Sequence, residues 1–69
     1  MKISARNRLK GRIVDVNKGV TTAHVRIDVG RTVVTASITD EAAEELGLKV
    51  GQEALAIIKA SDVMVAIPD

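Results

Sequence analysis

The stretch Ala23-His24-Val25-Arg26-Ile27-Asp28-Val29-Gly30-Arg31-Thr32-Val33-Val34-Thr35-Ala36-Ser37-Ile38 decides the fold class of this chain. Ala23, Val25, Ile27 and Val29 alternate with His24, Arg26 and Asp28, and a period of two puts the two sets on opposite faces of a strand. One face is apolar enough to be buried, and the other is wet. Thr32 to Ile38 is a second run, rich in β-branched residues, and Gly30-Arg31 stands between the two. A two-residue connection that opens on glycine suits a type I′ or II′ hairpin turn. The stretch therefore predicts a β-hairpin whose apolar face needs a covering layer.

On the N-terminal side, Leu9 to Val16 reads as a strand with Leu9, Gly11 and Ile13 on one face and Lys10, Arg12 and Val14 on the other. Asn17-Lys18-Gly19 supplies a turn into the hairpin. On the C-terminal side, Thr39 is placed to cap a short helix, because its hydroxyl can accept from a first-turn amide while Asp40 and Glu41 sit at the positive end of the helix dipole. Ala42, Ala43 and Leu46 form the apolar side of that helix, Glu41, Glu44 and Glu45 face water, and Gly47 ends it. Val50-Gly51-Gln52 turns the chain into a strand over Ala54 to Lys59, and Val63 to Ile67 reads as a last strand before Pro68. The expected fold class is all-β with one short helix: a single domain over 1–69, built as a five-stranded OB-like Greek-key barrel. A flat open sheet would leave long unpaired edges on a chain this apolar.

Composition adds a reason for association. A domain of 69 residues buries only about 60% of the surface its unfolded chain exposes. Small domains compensate with disulfides, metals or partners, and this chain has no cysteine and one histidine, His24. Its core must be built without Phe, Trp or Tyr. Partners that complete the core are the option left open. The net charge of +1 lacks the basic excess of a dedicated nucleic-acid binder. Charge is unevenly spread, however: Lys2, Arg6, Arg8, Lys10 and Arg12 come without an intervening acid, whereas Asp40, Glu41, Glu44 and Glu45 cluster. No uninterrupted apolar run approaches the ~20 residues that cross a bilayer and nothing resembles a signal peptide, so no membrane partner and a cytoplasmic location are expected.

Catalysis finds little support in the residues. There is no Cys nucleophile, and His24 lies on the wet side of an alternating strand without a carboxylate fixed beside it. The five glycines form neither GxGxxG nor a P-loop. A non-enzyme without a cofactor or protein-ligated metal is expected. Two segments carry a different chemistry. Ser4-Ala5-Arg6-Asn7, preceded by Lys2, groups a hydroxyl, a guanidinium and a carboxamide just before a strand, and Lys59-Ala60-Ser61-Asp62 ends another strand in an ammonium and a hydroxyl. A fully deprotonated tetrahedral dianion needs donors on all its oxygens and positive charge nearby, and it offers no proton to a carboxylate. Ser, Arg, Lys and loop amides satisfy that demand.

With these segments in view, the chain resembles the molbindins, the stand-alone form of the Mop or TOBE domain that also occurs in molybdate-responsive regulators and transporter ATPases. The resemblance is carried by MKISARNRLKGRIVDVNKGVTTAHV at 1–25, ITDEAAEELGLKVG at 38–51 and AIIKASDVMVA at 56–66, which together span nearly the whole chain. It implies an OB-like barrel assembled as a homo-oligomer, a hexamer built as a trimer of dimers, that binds molybdate or tungstate between subunits for intracellular storage and homeostasis. A first kind of site would then draw on Ser4, Ala5, Arg6, Lys59, Ala60 and Ser61, with Thr39 and Ser37 from a neighbouring protomer. Some family members carry a hydroxyl residue where this chain has Ala60, which leaves that position its backbone amide. Lys18, Gly19, Val20 and Thr21 resemble the segment that forms a second kind of site at a symmetry axis. The alternative function is an OB-type module for single-stranded nucleic acid, suggested by the basic stretch from Lys2 to Arg12. Such surfaces stack bases on aromatic side chains, and none is present, so no nucleic-acid partner is expected.

Overall fold

The computed structural model describes residues 1–69. Strands β1 (Asn7–Lys18), β2 (Thr22–Asp28) and β3 (Val33–Thr39) form an antiparallel meander, helix α1 (Asp40–Leu46) follows at once, and β4 (Glu53–Ile58) returns to pair with β1. A short 3-10 helix, Ala60–Asp62, comes after β4. The order β3-β2-β1-β4 places the last strand beside the first, which is the Greek-key arrangement.

β1 serves two partners by halves. Asn7 to Arg12 pair with β4, Arg12 to Lys18 pair with β2, and Arg12 alone is paired on both sides, opposite Glu53 and Asp28. Staggered pairing of this kind curls a sheet. The curl brings β3 and β4 to face each other across an apolar hollow of about 450 Å³, lined by Ile27, Val34, Ala36 and Ile38 on one side and by Ala56 and Ile58 on the other. Gly11 sits where β1 changes partners, and a Cβ there would stand 2.3 Å from the carbonyl oxygen of Asp28. Only glycine permits that approach. A β-bulge then leaves Val14 without a partner between Ile13 and Asp15. The extra residue resets the alternation, so that Ile13 and Val16 both join the core while Asp15 stands opposite Arg26.

The core is small. Ile13, Val25, Ile27 and Ala56 are buried together, with Val16, Val29, Val34, Ala36, Ile38, Leu48 and Ala54 packed around them. α1 forms as its sequence predicts: the Thr39 hydroxyl accepts the Ala42 amide at 3.1 Å, and Gly47 closes the helix at a φ of +61°. Its contact with the sheet rests on buried Ala43, whereas Leu46, expected on the apolar side, is 65% exposed. At the β2–β3 connection Gly30 takes a φ of +123°, and the Val29 amide donates to the Thr32 carbonyl at 3.0 Å.

Two sequence expectations are corrected. Asn17 and Lys18 belong to β1, opposite His24 and Ala23, and the turn is Gly19–Thr22, closed by the Gly19 amide donating to the Thr22 carbonyl at 2.9 Å. Cross-strand pairing overrides the turn preference of Asn-Lys-Gly there. The fifth strand over Val63–Ile67 is not formed, and the sheet is a four-stranded half-barrel, not a closed five-stranded barrel. β propensity describes how a segment fits beside neighbours and does not supply the neighbour. Val63 to Ile67 joins no ladder of this chain, and Met64 and Val65 stand 93% and 87% exposed.

Candidate functional site

The register of β1 against β4 assembles the two donor-rich segments. Asn7 lies opposite Ile58, so Ser4, Ala5 and Arg6, which lead into β1, emerge at the same end of the sheet as Lys59, Ala60 and Ser61, which leave β4. The Asn7 carboxamide fastens that end by donating from Nδ2 to the Ile58 carbonyl at 3.2 Å. Beyond it, the 3-10 turn is held by the Asp62 amide donating to the Lys59 carbonyl at 2.9 Å and the Val63 amide to that of Ala60 at 3.3 Å. The first amides of such a turn have no partner within it, so those of Ala60 and Ser61 can serve as donors to a ligand.

The side chains at this end are unengaged. Ser4, Arg6, Lys59 and Ser61 are exposed, Ala5 is half-buried, and none of the four polar side chains makes a hydrogen bond or ion pair within the chain. Three other cations are engaged: Arg12 donates to the Gly51 carbonyl at 2.7 Å, Lys10 pairs with Glu53 at 3.5 Å, and Lys18 pairs with Glu44 at 3.7 Å, whereas Lys2, Arg8, Arg26, Arg31 and Lys49 have no such partner. Two cations and two hydroxyls at one strand end, none bonded within the chain, are donors of the kind that a tetrahedral dianion requires. Water screens charges this exposed, so strong binding needs a further surface to cover them.

Thr39 and Ser37 lie elsewhere. Thr39 pairs with Thr22, beyond the C-terminal end of β1, and Ser37 is opposite His24, which is opposite Asn17. Along the contour of β1 these rungs lie at the opposite end from Asn7, roughly 36 Å away at about 3.3 Å per residue, although the curl of the sheet brings Ile38 and Ile58 onto one hollow. Within the chain no hydrogen bond joins Thr39 or Ser37 to Ser4, Arg6, Lys59 or Ser61. Thr39 accepts from Ala42 as a cap, which leaves its own hydroxyl proton to donate. His24 is exposed on the same wet face.

Lys18, Gly19, Val20 and Thr21 form the exposed end of the β1–β2 hairpin, with Val20 98% exposed. The Gly19 amide is consumed by the turn, the Thr21 and Thr22 hydroxyls lie 3.4 Å apart, and the Asp40 amide donates to the Thr21 carbonyl at 3.0 Å, which ties the turn to α1. Asp40 Oδ1 is buried without a partner. Three contributions went unread in the sequence: Asn7 as the clamp between the two segments, Gly11 as the residue that lets β2 close on β1, and Glu44 as the partner of Lys18. Asn7 and Gly11 both fall in the opening motif, whereas nothing local in the sequence links Glu44 to Lys18. No group of three or more His, Asp or Glu side chains is placed to hold a metal ion, and no helix is long and apolar enough to cross a membrane.

Comparison with known proteins agrees along the whole chain. The TOBE domain family matches residues 3–65. The molybdenum-pterin-binding protein 1 of Clostridium pasteurianum is 48% identical over 66 residues, which cover 94% of this chain and 97% of that protein. Among solved structures, a molybdate-binding protein from Sporomusa ovata is similar with a TM-score of 0.93 at 33% identity, covering 97% of this chain and 100% of that one. The cytoplasmic molybdate-binding protein ModG, crystallised with molybdate bound, is similar with a TM-score of 0.93 at 40% identity, covering 99% of this chain and 49% of that one. Both donor segments and the Lys18–Thr21 turn fall within the family match. The chain belongs to the TOBE domain family and is a Mop-like, molbindin-type member of it.

Proposed function

We propose that this protein binds molybdate or tungstate between the subunits of a homo-oligomer, a hexamer built as a trimer of dimers, and thereby stores and buffers the oxyanion in the cytoplasm without catalysing a reaction. The observation that carries the proposal is the β1–β4 register, which gathers Ser4, Arg6, Lys59 and Ser61 at one end of the sheet with their donors unengaged. The molybdate-binding relatives supply the choice of anion. Ala5 and Ala60 contribute backbone amides. Thr39 and Ser37 of a second copy complete the first kind of site, as the resemblance to the molbindins implies. The Lys18–Thr21 turn forms the second kind at a symmetry axis.

Oligomerisation answers two features of the isolated chain. The apolar hollow between β3 and β4 is open, and the apolar segment from Val63 to Ile67 lacks a strand partner. Each large aliphatic side chain moved from water into such a surface contributes about 1.5–3 kcal/mol. Closure of the half-barrel to five strands would cover both. The same assembly excludes water from the donors, which strengthens every contact they make with a dianion.

Calorimetric titration of the oligomer with molybdate, tungstate, sulfate and phosphate tests the proposal. Saturable heat with the first two supports it, and no heat with either on folded protein overturns it. Tight retention of single-stranded oligonucleotide at moderate salt would favour the nucleic-acid alternative, for which Arg8, Lys10 and Arg12 on one face of β1 are the available surface.

A further inference from the structure

We infer that Glu44 sets the oxyanion affinity of the Lys18–Thr21 turn by acting as the built-in counter-anion of Lys18. The inference rests on the proposed reading of that turn as the second kind of site. Lys18 ends β1, and its Nζ lies 3.7 Å from Oε1 of Glu44. The carboxylate is presented by a helix fixed on several sides. Thr39 caps the start of α1, Gly47 closes its end, Ala43 is buried beneath it, and the Asp40 amide is bonded to the Thr21 carbonyl. Residues 40 and 44 are one helical turn apart and share a side of α1, the side joined to the turn.

An oxyanion that reaches Lys18 therefore meets a carboxylate already there. An ammonium has three protons and can serve both acceptors, but a carboxylate and a dianion at one nitrogen repel each other. The empty turn is thus neutralised within its own chain, which matters where copies of Lys18 meet at an axis and would otherwise repel. Filling the turn means weakening or sharing the Lys18–Glu44 contact, so Glu44 lowers the affinity of the site although it offers the anion no donor. An exposed pair of this kind corresponds to about a 1.5- to 5-fold change in an equilibrium constant.

Tungstate is the probe, with the native oligomer titrated by calorimetry and tungsten at the turn counted by anomalous scattering from crystals grown at limiting tungstate. Glu44→Gln keeps the side-chain length and removes the charge, at an exposed position. It should tighten tungstate at the turn about 1.5- to 5-fold, and the gain should vanish in the Lys18→Ala background. Unchanged or weaker binding in Glu44→Gln, with occupancy still lost in Lys18→Ala, would overturn the role of Glu44 and leave the turn standing as a site. Full occupancy in Lys18→Ala would overturn the site itself, and the inference with it.

Discussion

Replacing Gly11 by alanine places a methyl group where the end of β2 closes on β1. The new carbon would stand 2.3 Å from the Asp28 carbonyl oxygen and 2.9 Å from Cγ2 of Ile27. The first of these is a backbone atom, so no side-chain rotation relieves the contact, and β2 must withdraw by roughly 1 Å to regain van der Waals distance. That movement strains the pairing of Arg12 with Asp28, the rung where β1 passes from β4 to β2. Overpacking costs about 1–3 kcal/mol, and the smaller conformational freedom of alanine in the unfolded chain returns about 0.4–1 kcal/mol. A backbone clash belongs at the upper end of that range, which leaves a net loss of about 2 kcal/mol. For a domain of this size the midpoint should fall by about 8–16 °C. The assay is thermal unfolding followed by far-ultraviolet circular dichroism, at one protein concentration because association makes the midpoint concentration-dependent. A midpoint within about 2 °C of the parent would refute the close approach as a constraint on the sequence.

Other outcomes follow from the same geometry. Arg6→Ala and Lys59→Ala should each weaken molybdate binding by about tenfold or more, the scale of a charge-assisted hydrogen bond, while His24→Ala changes it little; calorimetry giving equal affinities in all three would show the site to be misplaced. Thr39→Ala should lower stability by about 1 kcal/mol through loss of the cap to Ala42 and also weaken the anion, and Thr39→Ser should restore both; restoration of the melting temperature without the affinity would remove Thr39 from the site. Val65→Asp should reduce the mass measured by sedimentation equilibrium, because a carboxylate at an apolar contact is costly to bury; an unchanged mass would show that the tail is no part of the assembly.

The parts of the fold legible in the sequence are those whose signals are local. β2 was readable because Ala23, Val25 and Ile27 alternate with polar residues, and α1 because Thr39 and Gly47 mark its ends. The bulge at Val14 was not, since one extra residue looks like ordinary alternation until the partner strand is in place. The same applies to Asn17 and Lys18, whose turn chemistry gives way to pairing with β2. Val63 to Ile67 has the composition of a strand but no partner within the chain, and composition alone cannot reveal that. The site divides in the same way. Ser4, Arg6, Lys59 and Ser61 were readable as donors, but their meeting depends on the register of Asn7 with Ile58, a contact between residues far apart in sequence. Lys18 was readable as a cation, whereas its pairing with Glu44 depends on how α1 docks.

The central claim is that the oxyanion lies between chains. A crystal structure of the oligomer grown with tungstate, phased on the anomalous signal of tungsten, tests it most directly. The expected result is a tungstate whose oxygens lie within hydrogen-bonding distance of Ser4, Arg6, Lys59 and Ser61 of one chain and of Thr39 of another. Tungsten held by the residues of a single chain, or absent from the Ser4–Lys59 end in a structure where it binds elsewhere, would contradict it.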